Sequence, residues 1–478
     1  MKTLVRCAVA GAFVVAALGA VYIMLLLAPT YTAFDGVIFS ARDPADIRSV
    51  SVQNASGSFR FYFDDEEGGY VVDEIPPHIV DFDAFMDFMT NSAQVAAIRR
   101  IPLRGQSLDD FGLSSPSATV EVEFFCGDVL RLSIGDVERV SGHYFVMVEG
   151  FDDVYIVPRG IAGQFLRPKT QIISMFVTPP LMLSSPLSAV RDITFTGGGL
   201  ERPITINATA EADEEVALAA LSFGASTHIV RGAATYQLDQ AYGIQILGPL
   251  FAIPALDIVA FGLSEDEIYA LGFDRPYMMI EYDMINGVGV EAEQMSLRFI
   301  PAEGGRFYAT LMGQGAVYLI ERKPFFDIEY ERLLLRWFLT PLLMDLASVT
   351  IDFSDRSHRF DIDSSDPRDL TAYYNGQPLD MSLFHAFFRL ITSAAHDGAY
   401  LGVLEPPGDG QQPVLTITYE YTNPQKPPDV MMLFPGGVRR VNVFVNDVGE
   451  FAMRDMFVQR VREGSENMLA GNPIEENW

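Results

Sequence analysis

Cysteine is scarce in this chain, which has two cysteines among 478 residues. That number excludes a disulfide-rich scaffold and any structural zinc site built from several thiolates. Cys126 directly follows Phe124 and Phe125 at the end of a segment with the alternation of a strand. We therefore predict a buried, unreactive thiol at this position.

Positive charge is also in short supply, since 33 basic residues stand against 63 acidic ones and the formal net charge is −30. A chain without a net positive field is poorly suited to displace the counterions of nucleic acid, so we predict no nucleic-acid partner. Apolar residues are plentiful, at 49% of the chain. At roughly 100–200 residues per domain, the length allows about three domains with sizeable cores.

Common catalytic motifs are missing from the sequence. It contains no H-E-x-x-H helix, no G-x-x-x-x-G-K-[ST] phosphate loop and no G-x-S-x-G elbow. The six histidines are scattered, without an i, i+4 pair that would hold a metal ion. We therefore predict a non-enzymatic protein with no catalytic, cofactor-binding or metal-binding residues and no cofactor.

Acidic segments leave two alternatives open. Residues 64–69 and 361–366 carry carboxylates at alternate positions, as calcium sites do, but neither matches the twelve-residue EF-hand loop. Solvated turns that blunt sheet edges are the favoured interpretation, with a calcium-dependent surface adhesin as one alternative. The neighbouring Asp109 and Asp110 suggest the other, an envelope hydrolase acting on polysaccharide or peptide through carboxylates. Adjacent loop residues usually point apart, whereas glycoside hydrolysis needs a carboxylate pair fixed across a cleft.

One long hydrophobic run lies at the N-terminus. Residues 7–28 carry no charge, and Lys2 and Arg6 precede them. This length spans a hydrocarbon core of about 30 Å, and the positive-inside rule puts the N-terminus in the cytoplasm. A cleaved signal peptide is the competing interpretation, but the run exceeds the usual apolar region of about 7–15 residues. We predict a single-pass cell-membrane protein with an extracytoplasmic bulk, whose charge beyond residue 34 is −32.

Internal similarity runs through that outer part. Residues 142–157 and 305–320 align without a gap as a hairpin with a glycine-bearing turn, and residues 441–451 resemble it. Each copy opens with a strand pair, at residues 47–63, 193–206 and 348–362. Asp81 and Asp380 each precede apolar residues at helical spacing, which predicts two N-capped helices.

These patterns predict an α+β fold, with an N-terminal transmembrane helix followed by three tandem related units. Each unit is expected to be a mostly antiparallel sheet with one packed helix. The predicted divisions are the tip and anchor at 1–34 and repeat units at 35–178, 179–341 and 342–478, of which the third has diverged most. We further predict a broken helix over 242–257, buried helix or interdomain packing over 333–347, and a loop over 402–407.

The segments Leu108-Asp-Asp-Phe-Gly-Leu-Ser-Ser-Pro116, Leu130-Arg-Leu-Ser-Ile-Gly135 and 144–157 carry a resemblance to a known family. The chain resembles a bacterial family of unknown function with an N-terminal membrane helix and a repeated extracytoplasmic domain. Members are often encoded beside ABC-type transport systems of the gliding-motility kind. The resemblance implies an accessory or interaction role with ABC-type transporter subunits as possible partners, and it supplies no catalytic or binding residues.

Overall fold

The computed structural model describes residues 36–478 except 67, 225, 286, 288–290, 367 and 409. The predicted anchor at residues 7–28 lies outside this range. Within the described residues, no helix has the length and apolar character needed to cross a membrane. The chain divides into two compact units, one ending at Ser174 and the other covering Met175–Trp478.

The first unit contains a two-stranded sheet and an eight-stranded sheet. The small sheet pairs β1 (Val37–Ile38) with β5 (Ala96–Ala97). The large sheet has the order β4-β3-β2-β7-β8-β9-β10-β6. Its strands are β2 (Ile47–Asn54), β3 (Gly57–Asp64), β4 (Gly69–Val72), β6 (Arg99–Ile101), β7 (Ala118–Phe124), β8 (Val129–Val137), β9 (Tyr144–Val148) and β10 (Val154–Val157).

The second unit contains two nine-stranded sheets. One has the order β14-β13-β12-β11-β16-β17-β18-β19-β15 and the other β23-β22-β21-β20-β25-β26-β27-β28-β24. The first comprises β11 (Val190–Gly197), β12 (Ile204–Ala208), β13 (His228–Arg231), β14 (Thr235–Gln237), β15 (Ala255–Phe261), β16 (Met278–Met284), β17 (Glu293–Pro301), β18 (Phe307–Leu311) and β19 (Ala316–Ile320). The second comprises β20 (Leu346–Phe353), β21 (Ser357–Asp363), β22 (Thr371–Tyr374), β23 (Gln377–Pro378), β24 (Tyr400–Leu404), β25 (Leu415–Tyr421), β26 (Asp429–Gly437), β27 (Arg440–Val445) and β28 (Val448–Arg454).

Helices are few and mostly short in the described residues. They are α1 (Phe82–Ala93), α2 (Arg159–Ala162), α3 (Pro186–Ala189), α4 (Glu214–Ala220), α5 (Gln240–Leu247), α6 (Glu265–Ile268), α7 (Tyr330–Leu333), α8 (Met381–Thr392) and α9 (Met456–Leu469). The strand pairings of the described residues are antiparallel. A mixed α+β fold dominated by antiparallel sheets is therefore confirmed, although there are four sheets rather than three.

The local sequence explains the two twelve-residue helices, α1 and α8. Asp81 accepts a hydrogen bond from the Ala84 amide at 2.9 Å, and Asp380 accepts one from the Ser382 amide at 2.8 Å, so both helices begin at the predicted caps. Each helix then packs phenylalanines on its sheet. In α1, Phe88 stacks on Phe61 of β3 at 4.2 Å, and in α8, Phe387 lies 5.7 Å from Phe360 of β21.

Three local predictions were wrong or only partly right. The predicted helix over 242–257 ends at Leu247 with a 3-10 turn at Gly248–Leu250, and its last residues form the start of β15. Residues 334–342 are extended rather than helical, because their backbone pairs with segments distant in sequence. The predicted loop at 402–407 begins inside β24, the edge strand of its sheet.

Gly135 in β8 packs against the turn that ends the 3-10 helix Leu108–Phe111. A Cβ on residue 135 would overlap the Phe111 carbonyl oxygen and approach Leu113 Cγ to 3.0 Å. We expect Gly135→Ala to lower the free energy of unfolding of the first unit by about 2 kcal/mol, because the contact is with fixed backbone.

Hydrogen exchange of peptides from residues 36–174 measures this effect. Gly160→Ala is the matched control, since nothing lies within 4 Å of a Cβ there and alanine favours α2. Equal protection in the two variants would contradict the packing argument.

Candidate binding surfaces

Asp109 and Asp110 are the exposed residues of the 3-10 helix Leu108–Phe111. Asp110 Oδ2 accepts a hydrogen bond from the Ser107 amide at 3.1 Å, while Ser107 Oγ accepts one from the Asp109 amide at 3.3 Å. This capping box engages the Asp110 carboxylate in holding the turn. Of the two carboxylates considered for hydrolysis, that of Asp110 thus has a structural role.

The two acidic segments form tight turns stabilised by their own carboxylates. Asp64 Oδ1 accepts a hydrogen bond from the Glu66 amide at 2.8 Å, and Asp363 Oδ1 accepts one from the Ser365 amide at 3.0 Å. The hydrogen bonds from Ser365 lower the pKa of Asp363. Across the described residues, no group of three or more His, Cys, Asp and Glu side chains is placed to hold a metal ion.

The prediction of a buried Cys126 was wrong, because the thiol is exposed. Strand β7 ends at Phe124, where the Gly127 amide donates to the Phe124 carbonyl and closes a turn that carries Cys126 outward. Arg42 Nη1 donates to Cys126 Sγ at 2.7 Å and also forms an ion pair with Asp128.

The outer face of α1 presents two large apolar side chains. Phe82 is 71% exposed and Met86 is 36% exposed. Residues four apart lie one above the other on a helix, so these two side chains form one apolar stripe. We name this stripe, Phe82 and Met86, the α1 face.

A second surface lies in the other unit, where an extended strap (residues 334–340) passes between two segments. On one side the Leu335 amide donates to the Gln237 carbonyl at 2.9 Å. On the other, the His396 amide donates to the Arg336 carbonyl at 2.9 Å. Backbone pairing on both sides holds the strap in place, and Trp337 on it is 46% exposed.

Trp337 separates two grooves of about 570 and 630 Å³, which share Asp239, Leu335 and Trp337. Both volumes fall in the range of ligand sites. The groove of about 570 Å³, which we call the charge-bearing groove, is also lined by Tyr242, Gln245, Glu331, Arg332, Arg336 and His396, among others. The groove of about 630 Å³, which we call the polar groove, is also lined mainly by Ser226, Thr227, Gln237, Gln240, Thr340 and Thr392. We name the combined surface the Trp337 groove.

The floor of the charge-bearing groove contains a buried histidine. His396 is 2% exposed, and its ring stacks on Phe451 at 4.1 Å. Burial, with a further contribution from the nearby Arg336 charge, lowers the pKa of His396 to about 4. His396 Nδ1 accepts a hydrogen bond from the Gly398 amide at 3.1 Å, so the neutral ring carries its proton on Nε2.

A buried polar joint connects the two nine-stranded sheets. Lys426 Nζ donates to Ser222 Oγ at 2.8 Å and to Asp429 Oδ1 at 3.1 Å, while Ser222 Oγ donates to Asp429 Oδ2 at 2.6 Å. Tyr421 and Asn446 also donate to this carboxylate, at 2.6 and 2.8 Å. Four donors saturate the carboxylate, so the cluster, which we call the Asp429 joint, is built to hold the sheets together.

A second buried acid directly precedes Phe451 in the sequence. Glu450 in β28 is fully buried, and Tyr330 donates a hydrogen bond to its Oε2 at 3.2 Å. Burial raises the pKa of Glu450. Tyr330 follows β19, the last strand in sequence of the β11–β19 sheet, whereas Glu450 lies in the other sheet, so this contact also links the two sheets of the unit.

Sequence reasoning missed both the Trp337 groove and the Asp429 joint. The joint brings Ser222 next to Asp429 across 207 residues, and no local pattern indicates such a contact. A weak signal existed for the groove, because Trp337 is one of two tryptophans and lies between the apolar runs 333–335 and 338–339.

Comparison with family models, with curated proteins and with solved structures found no match to this chain. The chemistry of the two surfaces is therefore inferred from their own side chains.

Proposed function

We propose that this protein is a membrane-anchored, extracytoplasmic accessory protein that associates with an ABC-type envelope transport system. Residues 7–28 form its anchor, and the outer part consists of three related units that provide binding surfaces. The uncharged run of residues 7–28 and the basic residues before it support the anchor and its orientation.

The strand order of the large sheets supports the relationship among the three units. In each sheet the opening strand, β2, β11 or β20, pairs with the first strand of a four-stranded meander. The strand that precedes the meander in sequence, β6, β15 or β24, lies at the far edge beyond its last strand. Duplication of one ancestral unit would leave this edge strand at the same place in all three sheets.

The α1 face is the observation that carries the interaction role. Helices α1 and α8 occupy equivalent places, with Asp81 and Asp380 as their caps, and each buries two phenylalanines on its sheet. The outward positions differ, because the residue equivalent to the exposed Met86 is the polar His385. Position 82 is apolar in both helices, with Met381 as the equivalent of Phe82, so the fold does not require an apolar residue at position 86 or an aromatic one at position 82. Exposed apolar side chains of this kind are typical anchors of a protein interface.

Exchanging the α1 face for its counterpart in α8 tests the proposal. We expect the double variant Phe82→Met, Met86→His to lose transporter subunits during affinity purification from solubilised membranes, whereas the wild-type chain retains them. Because both new residues come from the equivalent helix, the melting temperature should stay unchanged. Val140→Ser is the matched control, since Val140 is 94% exposed on a turn of the same unit.

Two results would overturn the proposal. One is recovery of the wild-type protein alone, without transporter subunits. The other is equal recovery of those subunits by the wild-type chain and the double variant, which would remove the α1 face as the contact.

A further inference from the structure

We propose that the Trp337 groove binds a neutral saccharide chain. This inference goes beyond partner binding at the α1 face and stands on the chemistry of the groove itself. It assigns a ligand class to a surface that lies in the other compact unit of the chain.

The tryptophan provides the apolar half of a sugar site. The flat face of a pyranose presents C–H groups, which pack against the electron-rich face of an indole ring. Backbone hydrogen bonds on both sides of the strap fix the chain at Trp337, so a ligand does not have to order the strap when it binds. Within the described structure its indole N–H makes no hydrogen bond and is available to a ligand oxygen.

The polar groove provides the matching hydrogen-bonding groups. Gln240 Nε2 donates to Thr227 Oγ1 at 2.9 Å, and Gln237 donates to Thr340 Oγ1, so these side chains are already oriented. Each hydroxyl and amide retains further donor or acceptor capacity after these bonds. Uncharged groups that both donate and accept suit sugar hydroxyls, which do the same.

Charge balance indicates that the ligand is neutral. The charge-bearing groove contains two arginines and two acids. Arg332 is already engaged, because it pairs with Glu329 at 2.8 Å and lies 4.4 Å from the Tyr242 ring centroid. Asp239 accepts the Tyr242 amide at 3.0 Å as the cap of α5. A strongly acidic polymer would also be repelled by the charge of −32 that follows residue 34.

Intrinsic fluorescence gives a direct test, because the chain has two tryptophans. Trp478→Phe leaves Trp337 as the single emitter, and circular dichroism checks that the fold is kept. The full chain is solubilised in a detergent without a sugar headgroup and titrated with a tetramer of N-acetylglucosamine and with one of glucose. We expect a saturable change in Trp337 emission with at least one tetramer, and a Kd on the order of 1 mM or tighter.

Variants separate stacking from hydrogen bonding, with calorimetry as the readout because Trp337→Ala removes the fluorophore. We expect Trp337→Ala to weaken binding at least about 10-fold, Trp337→Phe to restore most of it, and Gln240→Ala to weaken it about 3-fold. No saturable response to either tetramer would overturn the proposal, and so would full binding by Trp337→Ala. A preference for polygalacturonate over both neutral tetramers would overturn the neutral ligand class.

The α1-face variant distinguishes this proposal from the proposed function. Phe82→Met, Met86→His should keep saccharide binding while losing transporter subunits. Loss of saccharide binding in that variant would contradict the assignment of the ligand to the Trp337 groove.

Discussion

Replacing Asp429 with alanine should lower the free energy of unfolding of the second unit by about 3–5 kcal/mol. The carboxylate and the Lys426 ammonium are 2% and 7% exposed, so removing one leaves the other as an uncompensated buried charge. The hydroxyls of Ser222 and Tyr421 lose their acceptor in the same step.

Urea unfolding followed by tryptophan fluorescence measures this loss, because Trp337 and Trp478 both lie in the second unit. The control is Glu463→Gln, which breaks the partly exposed Arg460–Glu463 pair and should cost no more than about 1 kcal/mol. The double variant Lys426→Met, Asp429→Leu removes both charges and should recover much of the stability lost by Asp429→Ala. An Asp429→Ala variant as stable as Glu463→Gln would show that the joint does not hold the sheets.

The Asp429 joint also marks the limit of what the sequence predicts. Hairpins such as β9–β10 follow from alternation of period two on both sides of a glycine turn, and all of that information is local. The caps at Asp81 and Asp380 are equally local, since each carboxylate reaches an amide two or three residues later. Lys426 and Ser222 meet across 204 residues, and nothing in either neighbourhood distinguishes a buried lysine from a solvated one.

The strap illustrates the same limit for secondary structure. Residues 333–347 are mostly apolar, and a short apolar run does not distinguish helix from extended chain. Their conformation is decided by hydrogen bonds to Gln237 and His396, which lie about 100 and 60 residues away. The position of Trp337, and with it the groove, follows from those distant partners. The sequence therefore predicts the surrounding strands but not the Trp337 groove.

Acidification should destabilise the second unit through His396. In the folded state its pKa is about 4, below the usual value of 6.5, so between these values the unfolded chain binds a proton that the folded chain does not. The contribution of His396 to the free energy of unfolding is therefore fully present above pH 6.5 and is lost as the pH falls toward 4. At 1.36 kcal/mol for each unit of pKa difference, the loss between pH 7.5 and pH 4.5 is about 2–3 kcal/mol.

His396→Phe isolates this contribution. Phenylalanine keeps the aromatic contact with Phe451 and Phe338 but has no proton to bind, so the variant should lose about 2–3 kcal/mol less than wild type between pH 7.5 and pH 4.5. Glu450 contributes in the opposite sense, because its pKa is raised and the stability that it provides is lost as the pH rises. The contribution of Glu450 is common to both proteins and cancels in the comparison.

Urea midpoints at the two pH values, read by tryptophan fluorescence, give the difference directly. Any cost of losing the hydrogen bond from the Gly398 amide appears at both pH values and therefore leaves the pH dependence unchanged. Identical pH dependence in wild type and His396→Phe would contradict a neutral, buried imidazole. It would mean that protons reach the ring in the folded state, and hence that the floor of the Trp337 groove opens to water.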